Sequence, residues 1–539
     1  METRSTEQTP ELDVLIVGAG FAGLYMLHRA RGMGFSVRVF EAGGGVGGTW
    51  YWNRYPGARC DVESLEYSYS FSEELRKEWR WTERYAGQPE ILQYLNHVAD
   101  RFDLRRDTQL ETTIQSACFD ETSNAWTVET DQGSRVTARF CIMATGCLSA
   151  PKVPDYKGLE TFHGQWYHTG NWPHEPVDFH GKKVAVIGTG STGIQCIPVI
   201  AREAAHVYVF QRTPQYSFPA RNAPLSQEVL EDWDRNGPAY RELAKATPLG
   251  FLAPDSPSYP SAVEAPPELR EELYEAAWQR GGFGILRAFQ DLIINKESND
   301  TAAEFVRNKI RQTVRDPAVA EKLAPRDYPI ATKRPCADSS YFETFNRENV
   351  TLVDTKTTPI QEIVPAGLRT TDREFAVDTI VFATGFDAMT GTLNKIAIRG
   401  RSGQQLKAKW AAGPRTYLGL MVAGFPNLFI VSGPGSPSVL SNMAISIEQH
   451  VDWIAECLAY LRHRGATTIE ANLEAEDEWV NHVNEVANQT LYPLANSWYL
   501  GANIPGKPRV FMPYIGGLPA YSEKCRDVAT QGYLGFTMA

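Results

Sequence analysis

The stretch DVLIVGAGFAGLYMLHRARGMGFSVRVFEA, residues 13–42, decides the fold class. Its apolar run 14–17 reads as a buried strand and leads into Gly18-x-Gly20-x-x-Gly23. A helix-compatible segment follows, and a second strand, 36–40, ends on Glu41. The three glycines act differently. Gly18 allows the tight turn, Gly20 lets the backbone approach a pyrophosphate, and Gly23 lets helix and strand pack closely. The helix N-terminus offers free N–H groups to phosphates. Glu41 falls about 20 residues on, where a carboxylate accepts from ribose hydroxyls. Glycines alone are a weak signal. Strand, turn, helix, strand and acid in this order predict a dinucleotide-binding α/β domain.

The pattern recurs in GKKVAVIGTGSTGIQCIPVIAREAAHVYVFQRTP, residues 181–214. A strand at 184–187 runs into Gly188-x-Gly190-x-x-Gly193, a helix follows, and a strand at 207–210 ends on Gln211-Arg212-Thr213. A cation now stands where the first unit had an anion, which suits a ribose carrying a 2′-phosphate. An acid in one unit and an arginine in the other read as FAD plus NADPH. Two apolar strands ending in Ala-Thr-Gly, CIMATG at 141–146 and IVFATG at 380–385, look like returns to crossovers. The expected fold is α/β: two Rossmann-like domains, the second inserted in the first. The FAD domain is placed at 1–145 and 386–539, the NADPH domain at 146–214 and 333–385.

Residues 215–332 have a different texture. The run LAPDSPSYPSAVEAPPE is Pro-rich, and helical spacing follows at Leu269, Leu273 and Ala276/Ala277, then at Val306, Ile310 and Val314. Thr301-x-x-Glu304 reads as a capping box opening the second of these helices, which should stop before Asp316-Pro317. We expect a helical subdomain covering a cleft.

Composition narrows the function classes. Across 539 residues, 43% are hydrophobic and 22% charged, as in ordinary globular proteins. The net charge of −11, with no Lys/Arg block, argues against nucleic acid. No apolar run is long enough for a membrane span, and the polar start has no secretory pattern. Eight scattered cysteines without a C-x-x-C pair suggest a reducing cytoplasm and no metal site. A monomer is expected.

Two cofactors say only that electrons pass from nicotinamide to flavin. FHGQWYHTGNWP, residues 162–173, narrows this further, with Phe162, Gly164, His168, Trp172 and Pro173 in the form F-x-G-x-x-x-H-x-x-x-W-P. It resembles the fingerprint of type I Baeyer–Villiger monooxygenases. The segment GTWYWNRYPGARCD, with Gly48, Trp50, Tyr55, Pro56, Gly57 and Asp61, is similar to that family's other motif. In ATKRP, Arg334 falls where the family places its active-site arginine. The resemblance runs from the first glycine motif to the C-terminal SWYLGANIPGKPRVF, without departure at motif positions. It is nearest the branch of phenylacetone and steroid monooxygenases.

The resemblance implies conversion of a hydrophobic ketone to an ester or lactone with NADPH and O2, through a nucleophilic peroxyflavin. Arg334 is then the fixed cation, because arginine keeps its proton at any working pH, and Asp61 holds its guanidinium. His168, in the linker between the nucleotide domains, is expected to couple them. Gly48 and Trp50 belong to the cofactor set. Arg212, Thr213 and Lys333 are expected to meet the NADP phosphate, and Trp498 to lie near that cofactor. Val62, Leu148 and the loop 433–443, with Ser438, Val439, Leu440 and Met443, should line the ketone pocket. Three rivals are weighed. An N- or S-oxygenating flavin monooxygenase would not need the Asp61–Arg334 pair. A disulfide reductase would need the absent C-x-x-C. A non-catalytic FAD/NADPH redox sensor would show no ketone-dependent NADPH consumption.

Overall fold

The first glycine turn sits at the heart of a sheet that the chain builds in two visits. The computed structural model describes residues 11–252 and 259–539; the first ten residues and 253–258 of the Pro-rich run lie outside the described residues. Leu12–Val17 pairs in parallel with Val37–Phe40 on one side and Arg135–Met143 on the other. Arg135–Met143 then pairs antiparallel with Ala125–Thr130, which is followed by Ile114–Asp120 and Ala397–Arg399. Near its end, at Cys141–Met143, it takes Leu428–Ile430 instead. Strands from the last third of the chain therefore complete the sheet that the first residues start.

Between the two visits lies a second sheet, with all pairs parallel. Its order is Val350–Asp354, His206–Gln211, Lys183–Ile187, Thr379–Phe382 and Gln165–His168. The central strands are buried runs without alternation, as parallel strands covered on both faces must be. The two units are built alike at one demanding point. Gly18 has φ +104°, and a Cβ there would stand 2.6 Å from the Ala144 carbonyl oxygen; Gly188 has φ +112°, and its Cβ would stand 2.3 Å from that of Ala383. Each Ala-Thr-Gly turn thus packs backbone against the first glycine of its own unit, and only glycine fits.

The aromatic fingerprint differs from its expected role as a linker. Gln165–His168 is the edge strand of the second sheet, in register with Thr379–Phe382. Aromatic residues suit a half-buried strand. Gly164 admits the close approach, since a Cβ there would meet the Asp378 carbonyl at 2.3 Å.

The segment after the second unit opens and closes with a small parallel pair, Ser217–Pro219 with Cys336–Asp338. The helices Pro267–Arg280 and Lys296–Thr313 share one core with the second sheet through Tyr274, Phe305, Val306 and Ile310. The capping box does not open its helix. Asn295 caps Lys296–Thr313, accepting from the N–H groups of Glu297 and Ser298, while the Thr301 hydroxyl donates back to the Ser298 carbonyl inside the helix. The Asp316 side chain also caps, accepting at the start of Pro317–Leu323. No helix among the described residues is long and apolar enough to cross a membrane.

Beneath the first sheet, Phe21–Gly32 packs on Met443–Arg464, burying Leu24 and Leu27 with Val451, Ile454 and Leu458. That second helix carries His450, fully buried, whose Nδ1 accepts from the Ser432 N–H at 3.0 Å. Burial pushes its pKa down from 6.5 to about 3, so it stays neutral in the fold. Its stabilising contribution is complete above the unfolded value of 6.5 and is lost as pH falls toward 3. His450→Asn keeps an acceptor near the Nδ1 position but does not titrate. Between pH 6.5 and 4.5 the wild type should lose up to about 2.5 kcal/mol more than the variant. Denaturant melts at both pH values check this; parallel pH profiles would remove His450 from the acid response.

Candidate active site

One cavity of about 1280 Å³ runs between the two glycine turns, well above the roughly 300–1,000 Å³ of an ordinary small-ligand pocket. Gly18, Gly20, Glu41, Gly48 and Trp50 line one end; Gly188, Gly190, Arg212, Thr213 and Lys333 line the other. Gly23 and Gly193 lie behind the wall, where a Cβ would stand 1.8 Å from the Gly18 oxygen and 2.2 Å from the Gly188 oxygen. They serve the close helix packing.

These residues fit two dinucleotides. Helices Phe21–Gly32 and Ser191–Glu203 both start at a glycine with no side-chain cap, leaving their first-turn N–H groups for an anion. Glu41 is buried, which raises its pKa, although N–H groups of Ala19 (2.7 Å) and Gly43 (2.8 Å) oppose the rise. Trp52 donates to the same carboxylate, which leaves one of its four lone pairs for a ribose hydroxyl. At the other end, neither Arg212 nor Lys333 has a carboxylate partner among the described residues. Lys333 lies with Nζ 4.6 Å from the centre of the Tyr328 ring, and burial, then Arg212, lower its pKa. Arg212 thus stands close enough to disfavour the Lys333 charge, and the two cations together fit a phosphate.

Between the two ends sits an ion pair made by residues 273 positions apart. Arg334 Nη2 donates to Asp61 Oδ1 at 2.7 Å, and Nε donates to Oδ2 at 3.3 Å. Arg334 Nη1 donates to the Val439 carbonyl at 2.8 Å, and its own backbone carbonyl accepts from Gln215 Nε2. Burial works against the guanidinium charge, yet Asp61 and then Tyr499 lift the Arg334 pKa above its ordinary value. Its side chain keeps 28% of its area exposed, against 13% for Asp61, so the cation rather than the anion is offered to the cavity. Asp61 and Val439 take three of its five N–H bonds and the Tyr499 hydroxyl engages a fourth, which leaves one for a ligand.

Val62, Leu148, Val439 and Met443 line the same cavity beside Arg334, and Trp498 lies on its wall. Ser438 and Leu440 are not on that wall. Ser438 has φ +44° in a tight turn, and its hydroxyl faces Cys147 Sγ at 3.0 Å; Leu440 packs with Leu148 and Trp498 in an apolar cluster. The fingerprint side chains also stand off the cavity. Phe162 packs in the core of the second sheet, Trp172 is buried in its other core, and Pro173 is half-buried beside it.

His168 holds the fingerprint to both Ala-Thr-Gly connections. Its Nδ1 accepts from the Gly170 N–H at 3.0 Å, which leaves Nε2 as the donor toward the Lys152 carbonyl at 3.1 Å and the Thr384 hydroxyl at 3.2 Å. Burial lowers its pKa, so this neutral tautomer is the stable one. Lys152 was not legible in the sequence. It lines the cavity, and its Nζ donates to the Asn503 carbonyl in the segment that follows Trp498. Tyr55, named in the second motif, lines the cavity too, as does Tyr67; Gln195 lines it unforeseen, since its partners Tyr55 and Arg59 lie far away in the chain.

Comparison with known proteins follows the same lines. The family model described as pyridine nucleotide-disulphide oxidoreductase matches residues 15–236. All eight cysteines here are free, and on the cavity wall burial pushes the Cys147 thiol up to about 11 and raises that of Cys60 as well. A Baeyer-Villiger monooxygenase of Pseudooceanicola batsensis is 43% identical over 538 residues, covering 99% of this chain and 97% of that protein. A phenazine N-monooxygenase of Lysobacter antibioticus is 42% identical, covering 98% and 97%. The solved structure of an oxidised steroid monooxygenase bound to NADP superposes with a TM-score of 0.93 at 52% identity, covering 98% of this chain and 99% of that one.

Proposed function

The chain belongs to the Baeyer–Villiger monooxygenase family, FAD- and NADPH-dependent enzymes, and we propose that within it Arg334, held by Asp61, supports oxidation of a mainly hydrophobic ketone to an ester or lactone. FAD held at the first glycine turn would supply hydride acceptance from NADPH and transfer of one oxygen atom of O2 to the substrate, the other leaving as water. The protein binds, orients and supplies fixed charge. The first glycine turn and Glu41 take the flavin nucleotide; the second, with Arg212, Thr213 and Lys333, takes the nicotinamide nucleotide. The N–H bond of Arg334 that the protein leaves free donates to the carbonyl oxygen as negative charge develops on it. A donor fixed before the reaction needs no reorganisation, and one of this kind is typically worth about 2.7–4 kcal/mol.

The observation that carries this reading is the two-point Asp61–Arg334 pair inside a cavity shared by both glycine turns. Val62, Leu148, Val439 and Met443 favour an apolar substrate. A monomer is the working unit in this reading. Eight free cysteines support a reducing, cytoplasmic setting.

The test is direct. Purified protein should be yellow and release FAD on acid precipitation. With NADPH, O2 and a panel of linear, aromatic, cyclic and steroidal ketones, mass spectrometry should find esters or lactones. N-oxides or sulfoxides from amines and sulfides, with no ester from any ketone, would overturn the ketone reading in favour of the N-oxygenating relative's chemistry.

A further inference from the structure

Helix Ser191–Glu203 begins at the second glycine turn and meets the motif loop of the first glycine unit chiefly through Gln195, beside Thr192 on Tyr55 and Val199 on Gly57. Gln195 uses both ends of its side chain there. Its Oε1 accepts from the Tyr55 hydroxyl at 2.7 Å, and its Nε2 donates to the Arg59 carbonyl at 3.0 Å. The loop is pressed onto the helix at the same place: Gly57 has φ +82°, and a Cβ on it would stand 2.4 Å from the Gln195 carbonyl oxygen. No side chain could be interposed. Two residues beyond Arg59 comes Asp61, the carboxylate that holds Arg334. One turn before Gln195 comes Ser191, on the cavity wall at the helix start.

This gives a short mechanical path with a different event at each end. At one end a dinucleotide phosphate meets the helix N-terminus. At the other, Asp61 sets the direction of the guanidinium. Leucine would fill the volume of Gln195 but hold neither Tyr55 nor Arg59, and a loop free to shift would carry Asp61 with it. We propose that Gln195 is a positioning residue that fixes the Asp61–Arg334 pair to the helix of the nicotinamide-dinucleotide site. The proposal rests on the role given to Arg334 above. It assigns Gln195 no contact with the reacting atoms.

The test uses FAD-loaded Gln195→Leu, Tyr55→Phe and the double variant beside the wild type. Three quantities are read: NADP+ affinity by calorimetry, anaerobic flavin bleaching at saturating NADPH, and the split of consumed NADPH between ester and hydrogen peroxide. In Gln195→Leu the affinity and the bleaching rate should stay within about threefold of wild type, while the ester share falls roughly three- to tenfold and peroxide rises to match. Tyr55→Phe should give a smaller loss. The double variant should be no worse than Gln195→Leu, because both act through one clamp. A merely structural contact would lower the melting temperature without moving the split. A wild-type ester share in both single variants overturns the proposal. So does a loss of NADP+ affinity beyond roughly tenfold with the split unchanged, which would make Gln195 a direct ligand. A wild type that forms no ester would instead sink the ketone reading.

Discussion

Arg334→Ala should form ester at least about 100-fold more slowly than the wild type while still accepting hydride from NADPH, the usual scale for removing one preorganised donor to a developing oxyanion. The variant keeps both glycine turns, Glu41, Arg212 and Lys333, so it should bind both cofactors and be bleached by NADPH without air. In air it should consume NADPH and return hydrogen peroxide, because nothing now steadies the charge that oxygen transfer creates. Arg334→Lys should recover little. A single ammonium cannot meet both Asp61 oxygens, hold the Val439 carbonyl and still present donors to a ligand. Asp61→Ala should show a milder form of the defect, since the guanidinium remains tethered to Val439. Flavin bleaching, peroxide and ester are measured separately for each variant. An ester yield per NADPH near wild type in Arg334→Ala would remove this residue from the reaction.

Loss of Arg212 should act on the other half of the cycle. Charge-assisted contacts contribute roughly 1.5–3 kcal/mol each, so Arg212→Ala should raise the NADPH Michaelis constant at least about tenfold. NADH, without the 2′-phosphate, should change much less. Arg212 has no carboxylate partner among the described residues, so its removal leaves no orphaned anion to disturb the fold. The turn it stands on is held separately, by the Thr189 hydroxyl donating to the Thr213 carbonyl at 3.1 Å. In Arg212→Ala the pKa of Lys333 should rise, because burial alone is then left to lower it. Lys333→Ala in the same background should then abolish most of the remaining preference. Steady-state constants for both nucleotides decide the matter. Equal losses for NADPH and NADH would mean that Arg212 supports structure rather than reading the phosphate.

What the sequence revealed depended on how local each signal was. The two glycine turns, Glu41 and Arg212 were legible because strand, turn, helix and terminal side chain lie within about 30 residues, a span that one supersecondary unit dictates. Asp61 and Arg334 lie 273 residues apart, and only resemblance to a family suggested that they meet. Gln195 reads as one more polar position on an amphipathic helix; its partners, Tyr55 and Arg59, come from another domain. Thr301 and Glu304 matched a capping pattern, but Asn295 lies one and a half turns earlier and caps more N–H groups. Ser438 turns toward Cys147 instead of the cavity wall, a direction not legible because the tight turn Ser438–Leu440 has neither period that tells inward from outward.

The bond from Arg334 to the Val439 carbonyl bears on attempts to retarget such an enzyme. With Arg334 in the proposed role, the pocket wall at Val439 and the activating cation share one backbone carbonyl. Libraries that vary the Val439 and Met443 side chains can reshape the pocket without disturbing that carbonyl. Insertions, deletions or prolines in 433–443 move it, and the guanidinium turns with it. New selectivity reached by that route should arrive together with wasted NADPH. A screen that scores product alone would then discard variants whose recognition had improved, and scoring peroxide alongside product would recover them.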